Sequence, residues 1–348
     1  MVTRLAVTGV SHWHALHDAA YPTHVSALPG VALVALHDPA PGRAETVAAA
    51  LGLTGEPPAC HTDLDRLISD ARPDFVLALG RPDSMAATAH RLLDAGLPFL
   101  MEKPMGLSAA EVAGIADRAA AIGGFAAAPL FQRYLPFVAT ARAMIAEGRF
   151  GPLSHLHLRN MRPTSQRYVD WGAEWMLDPK IAGGGCLRNI GLHGLDLFCH
   201  ILGEDAEVTA CQLSRSALGQ PVEDYALVLL RSASGVLGTV EVGNTFPFEG
   251  APTGTAPPAG GWQRGDSAMR LAGRDALLTA TDGVLRTITS RTQETAPIAI
   301  AEPPARTILR DTIAAWRTGK PPVTSAHDCA RAMALADRAY ALAATAMA

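Results

Sequence analysis

Lysine is nearly absent from this chain. Lys103, Lys180 and Lys320 stand alone among 29 basic residues, so wherever a fixed positive charge suffices the sequence uses arginine. A lysine retained against that background points to a use for a compact, deprotonatable ammonium. Cysteine is sparse too: Cys60, Cys186, Cys199, Cys211 and Cys329 are odd in number, far apart and without a C-x-x-C pair. That argues against a disulfide framework and a thiolate zinc site, and leaves free buried thiols. There is no run of lysines or arginines and the net charge is −4, so neither nucleic acid nor a membrane surface is an expected partner. Apolar stretches are cut by glycine, proline or charge well before the roughly 18 residues of a membrane span. With the first strand expected to begin at Leu5, no leader is expected ahead of it. The expectation is a cytoplasmic protein that binds a small molecule.

What is present is an ordinary globular composition, 49% hydrophobic and 18% charged over 348 residues, enough for about two domains. Residues 4–9 read as a buried strand running into a glycine turn, with a helix possible up to about Leu28. Further strands are expected over 31–36, 74–79, 99–103 and 125–129, with helices over about 40–51, 64–70 and 84–95 between them. Strands alternating with helices at this spacing mean βαβ units, hence a doubly wound parallel sheet of nucleotide-binding type. After a helix over 136–147 the period changes. Residues 154–160, 208–213, 225–231 and 236–242 alternate apolar and polar, and short strands follow at 268–271, 277–281 and 285–289. Alternation fits strands packed on one face only. The predicted fold class is α/β: a Rossmann-type domain over 1–127, then an α+β domain over 128–348 with a large open, mostly antiparallel sheet. An open sheet suits a subunit interface, so a homodimer or homotetramer is expected. The closing helices, about 305–318 and 326–346, have alanine-rich faces suited to packing back on the first domain.

Two segments carry chemistry. The first is Glu102-Lys103-Pro104 at a strand end, where the residue before proline is pushed into extended backbone and parallel sheets bind their ligands. The second is Gly183-Gly184-Gly185 followed by Asn189, His193 and Asp196, which at helical spacing share one face. A histidine there can take a proton from an alcohol, since its ordinary pKa lies near neutrality. A phosphate loop is only partly present. The three fingerprint positions hold Gly9, Ser11 and His14, and Gly9, Val10, Ser11 and His12 are the candidate cofactor loop. Asp38 ends the second strand, where an acid can accept from an adenosine ribose and repel a 2′-phosphate; the cap of the next helix is its alternative use. Arg43 nearby keeps a 2′-phosphate open. A rival reading takes His12, His14 and His17 as ligands of zinc or another divalent ion, yet the later strand ends do not offer the histidine set such a site needs.

These residues together resemble the Gfo/Idh/MocA oxidoreductases, the family of glucose-fructose oxidoreductase and inositol dehydrogenase. The resemblance runs over nearly the whole chain, through Asp38-Pro39, Thr62-Asp63-Leu64, Glu102-Lys103-Pro104, Gln132-Arg133-Tyr134, Trp175 with Asp178-Pro179, the three glycines and Gly191-x-His193-x-x-Asp196. It implies an N-terminal Rossmann domain binding NAD, with NADP possible, and a C-terminal domain that oligomerises through its sheet. Glu102 and Lys103 would contact the cofactor, Lys103 and Asn189 would hold a substrate hydroxyl, and His193 would be the acid/base. Arg133, Tyr134, Trp171, Trp175, Arg188, Asn189 and Asp196 are the expected substrate contacts, and no metal is expected. The stretch 250–262 is a candidate lid. The chain departs from the family in the missing loop glycines and in Asn189, where the usual residue is aspartate. The expected reaction is hydride transfer between nicotinamide and a secondary alcohol of a sugar, inositol or polyol. A non-catalytic nucleotide or sugar sensor and an NAD-assisted glycoside-cleaving relative are the alternatives.

Overall fold

A computed structural model describes residues 2–53, 56–247 and 264–346; the 250–262 stretch lies outside them. The first half alternates β1 (Thr3–Thr8), α1 (Tyr21–Ser26), β2 (Val31–His37), α2 (Arg43–Ala50), β3 (Ala59–His61), α3 (Leu64–Arg66), β4 (Phe75–Ala78), α4 (Pro82–Asp94), β5 (Phe99–Met101), α5 (Ala109–Ala121) and β6 (Ala126–Ala127). The six strands form one parallel sheet in the order β3-β2-β1-β4-β5-β6. Leu5, Ala6 and Val7 of β1 and every residue of β4 and β5 are buried, as strands covered by helices on both faces must be. The strand order reverses between β1 and β4, which opens a crevice beyond their carboxyl ends.

Two local departures from the sequence reading stand out. The helix expected up to Leu28 is broken into a 3₁₀ turn, Trp13–Ala15, and the short α1, because Asp18 and Ala20 between them take left-handed backbone (φ 51° and 41°). Helix α5 was not anticipated, although Ser108 caps it by accepting from the Glu111 amide and Glu111 reaches back to the Leu107 amide at 2.7 Å.

The second half contains α6 (Pro136–Ala146), β7 (Leu153–Pro163), α7 (Gln166–Asp170), α8 (Pro179–Ala182), α9 (Leu192–Leu202), β8 (Ala206–Ser214), β9 (Tyr225–Ser232), β10 (Leu237–Phe246), β11 (Asp266–Gly273), β12 (Ala276–Thr281), β13 (Val284–Thr289), β14 (Gln293–Pro297), α10 (Pro304–Arg317) and α11 (Ala326–Ala346). Eight strands form a second sheet, β14-β13-β12-β11-β7-β10-β9-β8, antiparallel throughout except for the central β7/β10 pair. The alternation is as the sequence implies. Leu156, Leu158, Val228, Leu230, Val240 and Val242 point inward, into a core shared with α6, α9 and α11, while His155, His157, Arg159, Thr239 and Glu241 face away from it. The last two helices tie the halves together. α10 lies on the first sheet, with Trp316 against Phe75 at 5.4 Å and Arg317 Nε donating to Thr3 Oγ1 at 2.9 Å. α11 packs against both α5 and α9, with Met333, Ala336 and Ala339 fully buried.

Candidate active site

Lys103 follows β5 at the carboxyl edge of the first sheet and is 5% exposed. Its ammonium crosses to the second half of the chain, donating to the backbone oxygen of Asn189 at 2.8 Å and to Asn189 Oδ1. The Asn189 amide is oriented in turn, because its Nδ2 donates to the Tyr168 hydroxyl at 2.7 Å. Burial lowers the Lys103 pKa and the Glu102 charge opposes the shift.

Asn189 lies in a π turn, Leu187–Gly191, that precedes α9. The extra residue in this turn breaks the plain helical spacing assumed for Asn189 and His193, and Asn189 turns to Lys103 and Tyr168 instead. His193 opens α9, is 5% exposed and lies 4.8 Å ring to ring from Phe131. Burial, followed by the charges of Lys103, His14 and Arg162, holds its pKa well below the ordinary value, so the imidazole is neutral at pH 7. Its Nδ1 is buried with no hydrogen-bond partner among the described residues.

The glycine run sets the position of this turn. Gly183 ends α8 at φ 74°, and Gly184 (φ 149°) passes directly beneath the Tyr340 hydroxyl, where a Cβ has no room. Glu223, buried and absent from the sequence reading, accepts from the Gly185 amide (2.9 Å), the Leu187 amide (3.0 Å) and the Tyr340 hydroxyl (2.6 Å).

The loop after β1 takes the place of a glycine-rich one. Gly9 turns at φ 71°, pressed against the backbone of Leu79, so only glycine fits. Gly9 and Val10 donate to the His37 oxygen at 2.8 and 3.3 Å. Asp38, 1% exposed, accepts from the Ser11 amide at 2.6 Å and from the Ala40 amide at 3.0 Å, so it braces the loop and caps the following turn at once. His14, in the third glycine position, reaches Glu102: Nδ1 and Oε1 are 2.8 Å apart. Burial by itself raises the Glu102 pKa, but the charge and hydrogen bond of His14, with His12 and Lys103 beside it, outweigh burial and hold it down to about 2. The ligand atoms of His12, His14 and Glu102 all lie within 4.8 Å of one another, a divalent-metal donor set whose carboxylate the sequence reading did not supply. Two features disfavour a cation there: Glu102 Oε1 is already joined to His14, and the Lys103 ammonium adjoins it.

Aromatic rings join this loop to the segment before the glycines. Trp13 meets Tyr168 at 5.4 Å and Trp175 at 5.5 Å, and His17 stacks on Trp171 at 5.0 Å with their planes 8° apart. The cleft lined by His12, Trp13, Lys103, Trp175, Arg188 and Asn189 has a volume of only about 10 Å³. Trp171 and Gln132 line a second, much larger cavity of about 1010 Å³ that reaches Phe131 beside His193.

Three expected substrate contacts are placed elsewhere. Arg133 Nε donates to Asp196 Oδ2 at 2.8 Å and Arg133 Nη2 lies 2.9 Å from Asp328, leaving the Arg133 side chain 9% and Asp196 1% exposed. Both are spent on each other, because a buried carboxylate needs a cation more than a cavity needs a wall. Tyr134 turns toward α10, where burial and the Asp311 carboxylate raise its pKa. Arg188 stays at the small cleft, its Nη1 paired with Asp337 at 2.7 Å.

The sequence of residues 3–125 matches the family model described as an oxidoreductase family with an NAD-binding Rossmann fold, and residues 138–255 match the GFO/IDH/MocA C-terminal domain. The chain belongs to the Gfo/Idh/MocA oxidoreductase family. Among characterised members it is similar to the scyllo-inositol 2-dehydrogenase (NAD(+)) of Bacillus subtilis (strain 168), 26% identical over 64% of this chain and 63% of that protein. It is also similar to the trans-1,2-dihydrobenzene-1,2-diol dehydrogenase of Sus scrofa, 26% identical over 56% of this chain and 57% of that one. These matches span about three fifths of each relative's length. Its fold matches that of an oxidoreductase from Agrobacterium radiobacter solved with NAD+, L-tartaric acid and magnesium, at 17% identity and a TM-score of 0.83 over 99% of this chain and 97% of that one.

The family's NAD suits the residues present. Gly9 gives the close backbone approach at the sheet's carboxyl edge, and each Asp38 oxygen, bonded to one amide, keeps capacity for a ribose hydroxyl. Glu102 itself is 1% exposed and lies between the Lys103 ammonium and the buried Tyr21 hydroxyl, so it supports the lysine from behind. Trp13, Tyr168 and Glu223 went unread because nothing local marks them; each acts on a residue distant in sequence.

Proposed function

We propose that the protein is an NAD-dependent dehydrogenase that interconverts a secondary alcohol and its ketone on a sugar-, inositol- or polyol-like substrate. One observation carries the reading: a buried lysine and a neutral buried histidine flank Asn189 at the crevice where the strand order reverses. Lys103 and Asn189 position the substrate hydroxyl, and His193, neutral near pH 7, takes its proton as the C–H electron pair leaves and the C=O bond forms. Bound nicotinamide supplies the acceptor for that hydride. Burial around Lys103 and His193 excludes water and strengthens each of these contacts.

The place of Asp38 at the end of β2 favours NAD over NADP, since its carboxylate repels a 2′-phosphate. The same reading assigns cofactor binding to residues 1–127 and substrate binding to 128–348, in a cytoplasmic protein that pairs through the outer face of the second sheet. Among the described residues, no helix is long and apolar enough to cross a membrane.

Titration with NADH and NADPH, followed by energy transfer from tryptophan, tests the cofactor reading. Tighter NADH binding, and NADH formation with an inositol or polyol that Lys103→Met abolishes, are the expected results. Tight cofactor binding with no turnover across a broad alcohol panel would overturn the enzyme in favour of a sensor.

A further inference from the structure

The turn that carries Asn189 is not held by its own neighbours. Its entry residue, Cys186, offers no side-chain cap, and the glycines before it have no strong backbone preference. The three successive amides at that entry all go to one distant residue instead. Glu223 Oε1 accepts from the Gly185 amide at 2.9 Å and the Leu187 amide at 3.0 Å, and the backbone oxygen of Glu223 accepts from the Cys186 amide at 3.1 Å. A carboxylate that takes two amides is a charge-assisted cap, stronger than a neutral one. The turn then closes on itself, the Asn189 amide donating to the Gly185 oxygen at 3.0 Å, which leaves the Asn189 oxygen for the Lys103 ammonium at 2.8 Å.

The clamp has a second jaw in α11. Cys329, Met333, Asp337 and Tyr340 recur at helical spacing and share one face of that helix. At one end of the face the Cys329 thiol donates to the backbone oxygen of Pro104, the residue after Lys103, at 3.5 Å. At the other end the Tyr340 hydroxyl donates to Glu223 Oε1 at 2.6 Å, and Nη1 of Arg188, the residue before Asn189, donates to Asp337 Oδ1 at 2.7 Å. The second Asp337 oxygen accepts from the Ala109 amide at the start of α5, also at 2.7 Å. One helix therefore grips the chain beside each partner of the Lys103–Asn189 contact.

We propose that Glu223 and Tyr340 are positioning residues of the reaction: they act through the 185–189 turn to keep both Asn189 oxygens on the Lys103 ammonium, and α11 sets the separation. The proposal rests on the dehydrogenase reading for what Lys103 does, and adds the residues that decide where its partner stands. Neither side chain lines the cleft beside Lys103, so their effect passes through Asn189. A buried ammonium with two oxygen acceptors keeps its proton; drawn away from them and still buried, it gives the proton up more readily. The ionisable groups whose charge acts on Lys103 are Glu102 beside it, His12 and Asp18 after β1, Arg162 at the end of β7, His193 in α9 and Cys329 in α11. Substitutions at 223 and 340 leave all of them in place.

The scarcity of lysine supplies the test. With only Lys103, Lys180 and Lys320 in the chain, NMR of protein labelled at lysine Cε gives three resonances, and Lys103→Met identifies the one to follow. Its pH titration reads the ammonium directly and needs no substrate. Glu223→Ala lowers the Lys103 pKa by about one unit, and Tyr340→Phe and Glu223→Gln, which keeps an oxygen facing the amides, lower it by about half as much. In the same order kcat, read as NADH formation, falls by up to about tenfold, with NADH affinity unchanged. Arg317→Gln, which removes a bond to Thr3 far from the crevice, costs stability without moving the Lys103 titration. Should Glu223→Ala not fold, the two conservative variants carry the test. A Lys103 pKa that is unmoved or raised in those two overturns the proposal, even where the melting temperature falls. A lowered pKa in a protein that oxidises no alcohol keeps the clamp and removes the dehydrogenase; turnover with an unmoved Lys103 titration removes the clamp and keeps the dehydrogenase.

Discussion

Lys103 and Arg133 are buried cations near the junction of the two sheets, and the protein treats them in opposite ways. Arg133 is given two carboxylates, Asp196 and Asp328; burial alone would lower its pKa, but the bond to Asp196 and the two charges raise it above the ordinary range. Lys103 is given the neutral oxygens of Asn189, and burial lowers its pKa. A cation matched by carboxylates is a fixed brace. A cation matched by amide oxygens keeps its proton loosely and stays available to a ligand.

Replacing the working cation separates activity from stability. Lys103→Met lowers kcat/KM by about a thousandfold or more, read as NADH formation, while the melting temperature holds or rises because a desolvated charge is gone. A stability loss as large as the activity loss would erase the contrast.

The opposite pattern is expected at the brace. Arg133→Met leaves Asp196 buried and unpaired and costs about 3–5 kcal/mol in urea unfolding, with NADH affinity of the folded fraction unchanged. Because Asp196 is then the strained group, Arg133→Met/Asp196→Leu recovers most of the loss.

Acid sharpens the comparison further. Burial first, and then neighbouring cations, lowers the pKa of His193 below 6.5, so the stability its neutral form carries is complete above 6.5 and is lost as pH falls below it. Glu102 is depressed from 4.5 to about 2, so its contribution of about 3 kcal/mol is present above 4.5 and fades as pH falls toward 2. Urea midpoints therefore decline in two stages, the first delayed by His193→Asn and the second absent in Glu102→Gln.

The smallest effect comes from making Lys103 resemble Arg133. Asn189→Asp puts a carboxylate on the ammonium, raises the Lys103 pKa and moves the alkaline limb of the kcat/KM profile upward by about one unit. An unmoved limb would mean that Lys103 does not set it.

Much of this architecture is legible in the amino-acid order. The parallel sheet follows from buried apolar runs such as Leu5 to Val7, and the second sheet from the alternation of Leu156 and Leu158 with His155, His157 and Arg159. β14 escaped because Gln293–Pro297 is exposed along its whole length and shows neither pattern. Helix α5 escaped although its Ser108 and Glu111 cap lies in plain sequence. The broken helix at 13–20 follows from left-handed backbone at Asp18 and Ala20, which no periodicity reveals.

The site divides along the same line. Lys103 meets Asn189, and His193 lies close enough to feel the Lys103 charge, yet the shared helical face expected for Asn189 and His193 is broken by the π turn, and the sequence could not show that Asn189 serves Lys103, or that Tyr168 and Glu223 set the turn that carries it. Nor could it distinguish Arg133, matched with Asp196 63 residues away, from Lys103, matched only with the neutral oxygens of Asn189. Local order determined which residues are buried and on which element they ride, because burial periodicity is a property of neighbours along the chain. Which charges are cancelled and which remain free was decided only when distant elements met, because that balance depends on distances across the fold and on the water they exclude.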